Sequence, residues 1–356
     1  MESLAPAEAA GGLSRPACSI VIPTYHGRRL LEPCLASLFE NLPREPELAC
    51  EVVVSDNGPG EETRRWLAEA YPQVRVVRLA PGQGFCRAAN AGIEAARGRF
   101  IQVLNDDTEL TPGWIEAGLE PFRDPTVGAV TPLVLVRSTP GRVDSAGDSY
   151  SLAGWPSKRG HGQPAARWAS RPVEDVMSAS GSASFYRADA LRAAGGGFDA
   201  SLVSYYEDVD LGFRLRWAGY RVVFTPHCRV LHDISATADH RSPRLQRLMA
   251  RNAELVFWSN LPASKLAVAL LPHVGLVLAQ AAWRMARLRF IPFFLGKVDA
   301  ARELGRLGAR RKVRSGLGLN AVRPPHFPMG LGSFEDVVNH LRRPREASAA
   351  RRVADD

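Results

Sequence analysis

The sequence predicts an α/β fold: a Rossmann-like, mostly parallel central sheet with helices on both faces, plus a C-terminal helical, membrane-associating segment. Three observations carry this expectation. Short runs of β-branched and large apolar residues alternate with amphipathic stretches up to residue 104. Gly and Pro punctuate the joins. The first, second and fourth apolar runs stop on polar or acidic side chains, as strands of an open parallel sheet do where a ligand crevice forms at their carboxyl ends.

The first strand is expected over residues 18–23, ending in the loop Thr24-Tyr25-His26-Gly27, and a helix follows with Leu30, Leu31, Leu35, Leu38 and Phe39 on one face. Residues 51–55 form the second strand, which stops at Asp56 before Asn57-Gly58. A third, over 74–79, leads through Pro81-Gly82-Gln83-Gly84-Phe85 into an Ala-rich helix ending near Ala96. The fourth, Phe100 to Leu104, reads as a buried parallel strand that delivers Asn105, Asp106 and Asp107 to the crevice. A plainer role for Asn105 to Thr108 is to cap the helix that starts near Pro112.

Composition narrows the function. The 356 residues are 46% hydrophobic and 23% charged, ordinary for a globular protein with a full core. The net charge of +8 is concentrated: residues 284–314 hold ten Lys or Arg against Asp299 and Glu303. The rest of the chain is therefore near neutral, and no nucleic-acid-binding face is expected. Cys18, Cys34, Cys50, Cys86 and Cys228 are odd in number and contain no CxxC pair, which suits reduced thiols in a cytosolic protein. Residues 1–16 lack the basic start and apolar run of a secretory signal and read as a disordered lead.

Two stretches carry chemistry. No GxGxxG follows the first strand and no P-loop occurs, so a nucleotide must be held by acids, an aromatic face and a metal. Asn105, Asp106 and Asp107 supply the acids. Tyr25 supplies a ring for the base, with Pro23 and Thr24 shaping its loop and Asp56 accepting from base or ribose. In the second stretch, Tyr205-Tyr206-Glu207-Asp208-Val209-Asp210, the acids sit at a helix start, where the dipole favours them with or without catalysis. Residues 137–176 are irregular and rich in Gly, Pro and Ser. Substrate discrimination is expected there.

The ordered set of motifs resembles the family-2 glycosyltransferases of the GT-A fold, in particular the bacterial branch of rhamnosyl- and galactofuranosyltransferases. The matching features are Val-Ile-Pro-Thr-Tyr at 21–25, Val-Val-Ser-Asp-Asn-Gly at 53–58, Gln83-Gly84-Phe85 with Asn90-Ala91-Gly92, and Leu-Asn-Asp-Asp-Thr at 104–108. Gly-Gly-Phe-Asp at 196–199, Tyr-Glu-Asp-Val-Asp-Leu-Gly at 206–212 and His232 continue the series. The match runs in order over residues 17–260. By this resemblance Asp107 and His232 are metal ligands, and Pro23, Thr24, Tyr25, Asp56, Gln83, Gly84, Asn105 and Asp106 hold the donor. Asp208 is the base, supported by Glu207. The family's DXD motif reads Asn105-Asp106-Asp107 here, with an amide in place of the first acid, and either Asn105 or Asp106 reaches the ribose.

Beyond His232 the pattern turns helical. Residues 266–283 carry no formal charge but include Pro272, His273 and Gln280, and the basic, Phe-rich run follows at once. Such an order reads as helices lying in an anionic membrane surface. The expected organisation is a lead at 1–16, a GT-A domain at 17–240, a membrane-associating helical region at 241–341 and a mobile tail at 342–356. The resemblance implies a metal-dependent (Mg²⁺ or Mn²⁺), inverting transfer of a sugar from a nucleotide-diphosphate donor to a hydroxyl of a glycan, with a polyprenyl-linked acceptor. The place expected is the cytoplasmic face of the plasma membrane, peripherally attached. A sugar-nucleotide nucleotidyltransferase and a catalytically silent membrane-tethered scaffold are the alternatives.

Overall fold

The computed structural model describes residues 15–234, 242–318, 321 and 326–329; most of the expected lead and all of the expected tail lie outside them. Arg15 donates to the carbonyls of Arg97 and Gly98, so the packed domain includes two residues that the sequence assigns to the lead.

The first half follows the predicted alternation. β1 (Cys18–Thr24), α1 (Arg28–Glu40), β2 (Cys50–Asp56), α2 (Glu62–Ala70), β3 (Arg75–Arg78), α3 (Phe85–Ala95) and β4 (Phe100–Leu104) succeed one another. β1 pairs in parallel with both β2 and β4, and β2 with β3. Successive side chains of a strand face opposite ways, and the strands feed two cores accordingly. Val21, Val53 and Val103 pack under α3, while Ile20, Ile22, Val52 and Val54 pack under Leu31, Leu35 and Leu38 of α1. Gly92 lets α3 close on the sheet, since a Cβ there would stand 2.3 Å from Val21 Cγ1.

The second half is mixed. β5 (Thr108–Leu110), α4 (Trp114–Leu119), β6 (Val127–Val136), β7 (Val143–Ser145), β8 (Asp148–Tyr150), β9 (Pro156–Lys158), α5 (Ala165–Ala169), β10 (Glu174–Asp175) and β11 (Ala183–Arg187) lead to α6 (Ala188–Ala193), α7 (Glu207–Trp217) and β12 (Arg221–His232). The sheet runs β10-β12-β6-β11-β4-β1-β2-β3. β11 is antiparallel to both β4 and β6, whereas β6 and β12 are parallel. The continuous parallel run of the expected, mostly parallel sheet thus ends at β4, and among the described residues only β6 and β12 pair in parallel beyond it. Residues 180–182 form the lead-in to β11.

Four helices close the chain: α8 (Pro243–Asn260), α9 (Ala263–Met285), α10 (Phe290–Arg302) and α11 (Leu304–Leu317). The basic run does not all face outward. Arg314 pairs with Asp199 and Asp210 at 3.1 and 3.2 Å, Arg310 bonds Ser201, Arg311 bonds the Trp258 carbonyl, and Lys297 pairs with Glu254. Four of those ten basic residues are therefore spent on the fold, three of them because α11 lies on α7 and α8.

Candidate active site

The carboxyl ends of β1, β2 and β4 meet along one edge. Thr24 Oγ1 donates to Asp106 Oδ2 at 2.6 Å, tying the end of β1 to that of β4. Asn57 accepts Gln83 N–H on its side chain at 2.8 Å and bonds the Thr24 carbonyl through its own N–H, which fixes the loop before α3. Burial pushes the Asp106 carboxyl up to about 7, with Thr24 pulling against it.

β5 and β12 bring the next pair together. They are antiparallel with Thr108 opposite His232, so the residue before β5 lies beside the end of β12. His232 Nε2 stands 3.2 Å from Asp107 Oδ1, and Nδ1 is 2.9 Å from Asp144 Oδ2. The fully buried Asp144 also receives Lys158 Nζ at 3.0 Å. Burial alone would raise the Asp144 carboxyl, but Lys158, His161 and His232 hold it well below the usual range. Burial opposes a charge on His232, yet Asp107 and Asp144 lift it to about 9. Among the described residues no group of three His, Cys, Asp or Glu converges as a metal cage, so the donors offered here are sparse.

The second pair of acids begins α7. Asp208 Oδ2 accepts Gly181 N–H at 3.2 Å and Oδ1 accepts Val209 N–H at 2.8 Å. Glu207 Oε2 is buried and has no hydrogen-bond partner. Burial raises both carboxyls, Glu207 well above its usual range with the Asp208 charge adding to the shift; at Asp208 the two backbone N–H groups and Lys158 pull back. Two buried carboxyls this close do not both ionise readily, since each charge disfavours the other. They are held by an unusual turn. Val203, Tyr205 and Tyr206 have φ of 65°, 67° and 70°, a conformation costing on the order of 1–2 kcal/mol for each such residue. The amide of buried Asn252, on α8, donates to the carbonyls of Leu202, Ser204 and Tyr205 at 2.8, 3.0 and 3.0 Å. No local sequence signal announces that pin.

Both acid clusters open on one cleft of about 500 Å³, lined by Pro23, Thr24, Tyr25, Asn105, Asp106, Gly84, Lys158, Gly181, Glu207, Asp208 and His232 among others. Asp107 reaches it through His232. Two expected donor contacts sit elsewhere. Asp56 is buried behind the wall, its Oδ1 accepting the Gly58 N–H, and its neighbour Asn57 lines the cleft instead. Gln83 faces a separate shallow depression with Leu79, Arg87 and Glu94, since its N–H is turned to Asn57. Asp144 and Asn252 were not foreseen.

The comparisons with known proteins agree with this geometry. The model for "Glycosyl transferase family 2" matches residues 19–193. A Mycobacterium tuberculosis N-acetylglucosaminyl-diphospho-decaprenol L-rhamnosyltransferase is 31% identical over 239 residues, 60% of this chain and 75% of that protein. The chain belongs to glycosyl transferase family 2. That membership sets aside the nucleotidyltransferase alternative and makes glycosyl transfer the class of chemistry. A pre-mycofactocin glycosyltransferase of the same organism is 31% identical over 57% of this chain and 40% of its own length. The chain spans only 26% of an uncharacterized Sinorhizobium fredii protein to which it is 28% identical over 66% of its own length. Among solved structures, Staphylococcus aureus TarS superposes with a TM-score of 0.54 at 17% identity, over 85% of this chain and 52% of that one. GalNAc-T7 in complex with UDP, GalNAc and Mn²⁺ gives 0.52 at 18% identity, over 70% and 52%. These likenesses establish the GT-A fold.

Proposed function

We propose that the protein is a metal-dependent, inverting glycosyltransferase that moves a sugar from a nucleotide-diphosphate donor to a hydroxyl of a lipid-linked cell-surface glycan. One observation carries the reading: Asp208 and His232, whose ring pairs with Asp107, open on a single cleft, although Asp107 and Asp208 lie far apart in the chain. The donor lies along the strand ends, with the base against Tyr25 and the ribose at Asn105 or Asp106.

Asp107 and His232 would hold the cation. The fit is chemical: an oxygen and an imidazole nitrogen stand together, and the second ring nitrogen is fixed by Asp144, as in carboxylate–histidine–metal arrangements. Mg²⁺ or Mn²⁺ commonly takes few protein ligands beside substrate phosphates, and when bound it neutralises the charge that develops on the departing diphosphate. Asp208 takes the proton of the attacking hydroxyl, its lone pairs oriented by Gly181 and Val209. Glu207, protonated, hydrogen-bonds the acceptor. One base without a positioned nucleophile gives a single displacement, hence inversion.

The acceptor class is supported by the relative named for a diphospho-decaprenol substrate. Membrane association is supported by α9, 23 residues of mean hydropathy 1.7 with 11% of its apolar window buried, and the attachment is read as peripheral, on the cytoplasmic face. Testing begins with a panel of nucleotide sugars. Metal-stimulated hydrolysis of at least one is expected, and it disappears on chelation and in Asp107→Ala. Hydrolysis that is indifferent to chelator sinks the reading.

A further inference from the structure

The outer face of α9 and α10 is apolar: Leu271 is 81% exposed, Leu288 97% and Ile291 71%. Where α9 ends, the face becomes cationic with Arg284, Arg287 and Arg289. Arg287 lies 4.2 Å over the Trp283 ring, and Arg284 lies 4.9 Å from the Phe293 ring. Lys297 sits at 4.9 Å from the same ring, but Glu254 already pairs with it.

Arg284 is different. Its Nε is buried with no acceptor, and the bond from its Nη1 to Gln246 Oε1 is long, at 3.4 Å. Among the described residues no carboxylate stands within 4.0 Å of it, although the neighbouring basic residues Arg247, Arg251 and Lys297 all have one. A half-buried guanidinium without an anion is costly, and its planar fork matches phosphate oxygens. Its place is telling. Gln246 is on α8, two turns before Asn252, the residue that holds Tyr205 at the cleft wall. Tyr206, which lines the cleft, is near enough for the Arg284 charge to act on its phenol.

We infer that Arg284, flanked by Arg287 and Arg289, is a phosphate subsite for the isoprenoid diphosphate that carries the acceptor, with the prenyl chain along the apolar face of α9 and α10. This rests on the lipid-linked acceptor reading given above. A sugar on that diphosphate would extend past Tyr206 toward Glu207 and Asp208. The occupant has to be both anionic and apolar, because the guanidinium lacks a carboxylate partner and the helix ends that carry it expose Leu288 and Ile291.

The test uses the full chain and three probes: farnesyl diphosphate, inorganic pyrophosphate and farnesol. Farnesyl diphosphate is expected to bind about tenfold or more tighter than either half-probe, and Arg284→Gln to weaken it by about tenfold. Arg302→Gln, an exposed arginine paired to Asp299, leaves binding unchanged. Should Arg284→Gln fail to fold, Arg287→Gln combined with Arg289→Gln is expected to weaken the same probe. Equal binding of pyrophosphate, or full competition by phosphatidylcholine vesicles containing phosphatidylserine, overturns the subsite. Donor hydrolysis, measured in parallel, separates the two readings. Hydrolysis without farnesyl diphosphate binding removes the subsite alone; binding without hydrolysis of any donor removes the transfer reading and keeps Arg284 as a lipid-phosphate site.

Discussion

One wall of the cleft is made by the carboxyl ends of β1, β2 and β4, the other by residues 180–182 and the start of α7. The first is assembled by parallel register, and among its non-glycine residues none has positive φ. Its partners lie within a stretch of about ninety residues, and the bond from Thr24 to Asp106 is typical of it. The second is held against strain. Val203, Tyr205 and Tyr206 keep their left-handed backbone because Asn252 draws three carbonyls together, while Arg314 and Asn260 fix Asp210 at the following turn. Regular strand ends thus hold their side chains without strain, whereas the turn before Glu207 and Asp208, together with the start of α7, is held by residues from α8 and α11.

This contrast can be broken by experiment. Asp208→Asn is expected to cut turnover by on the order of a thousandfold while donor affinity stays within about twofold. A loss confined to donor affinity would place the base on the other wall. Asn252→Ala comes next, with turnover about 10- to 100-fold lower and donor binding unchanged, since about 1–2 kcal/mol per strained residue is no longer offset. Adding Val203→Gly to that variant should restore part of the rate, as glycine adopts φ 65° freely; rescue of stability without rescue of rate argues for scaffolding only. Tyr25→Ala should weaken donor binding about tenfold through lost stacking, leaving saturated turnover intact, as titration with the cognate nucleoside diphosphate would register. The smallest effect is on stability. Glu207 has a folded pKa well above 4.5, so its contribution is full below the unfolded value and is lost as pH rises through the folded one. Glu207→Gln should therefore gain about 1 kcal/mol over the parent near pH 8 and lose that advantage toward about pH 4, as paired thermal melts would reveal.

Legibility in the sequence follows the same divide. β1, β2, β3 and β4 lie within about two residues of the spans read from apolar runs; β1, β2 and β4 are largely buried on both faces and their composition records that, while β3 is an exposed edge strand. Asp107, His232, Glu207 and Asp208 could be named through the resemblance, and His232 meets Asp107 because β5 and β12 pair in the required register. Asp56 and Gln83 lie off the cleft lining for a local reason. In a loop stitched by Asn57, side chains one residue apart face opposite sides, and the motif does not say which faces the cleft. Asp144 and Asn252 escaped altogether. Each acts on groups tens of residues distant, and nothing near either position departs from an ordinary strand or helix. The basic run misled in part, since charge counted along a chain cannot tell Arg314, turned toward Asp210, from Arg284, which has no such acid.

β11 enters the sheet against the direction of β4, with Ala183 beside Leu104. Its incoming segment, Ser180-Gly181-Ser182, therefore arrives where a strand of the usual sense would be leaving toward a helix. What lies against Glu207 and Asp208 is in consequence bare backbone with two hydroxymethyl groups. At Gly181 a single added methyl would stand 3.4 Å from Glu207 Oε1 and 3.7 Å from Asp208 Oδ2. The floor of the cleft at this point is set by the polarity of one strand.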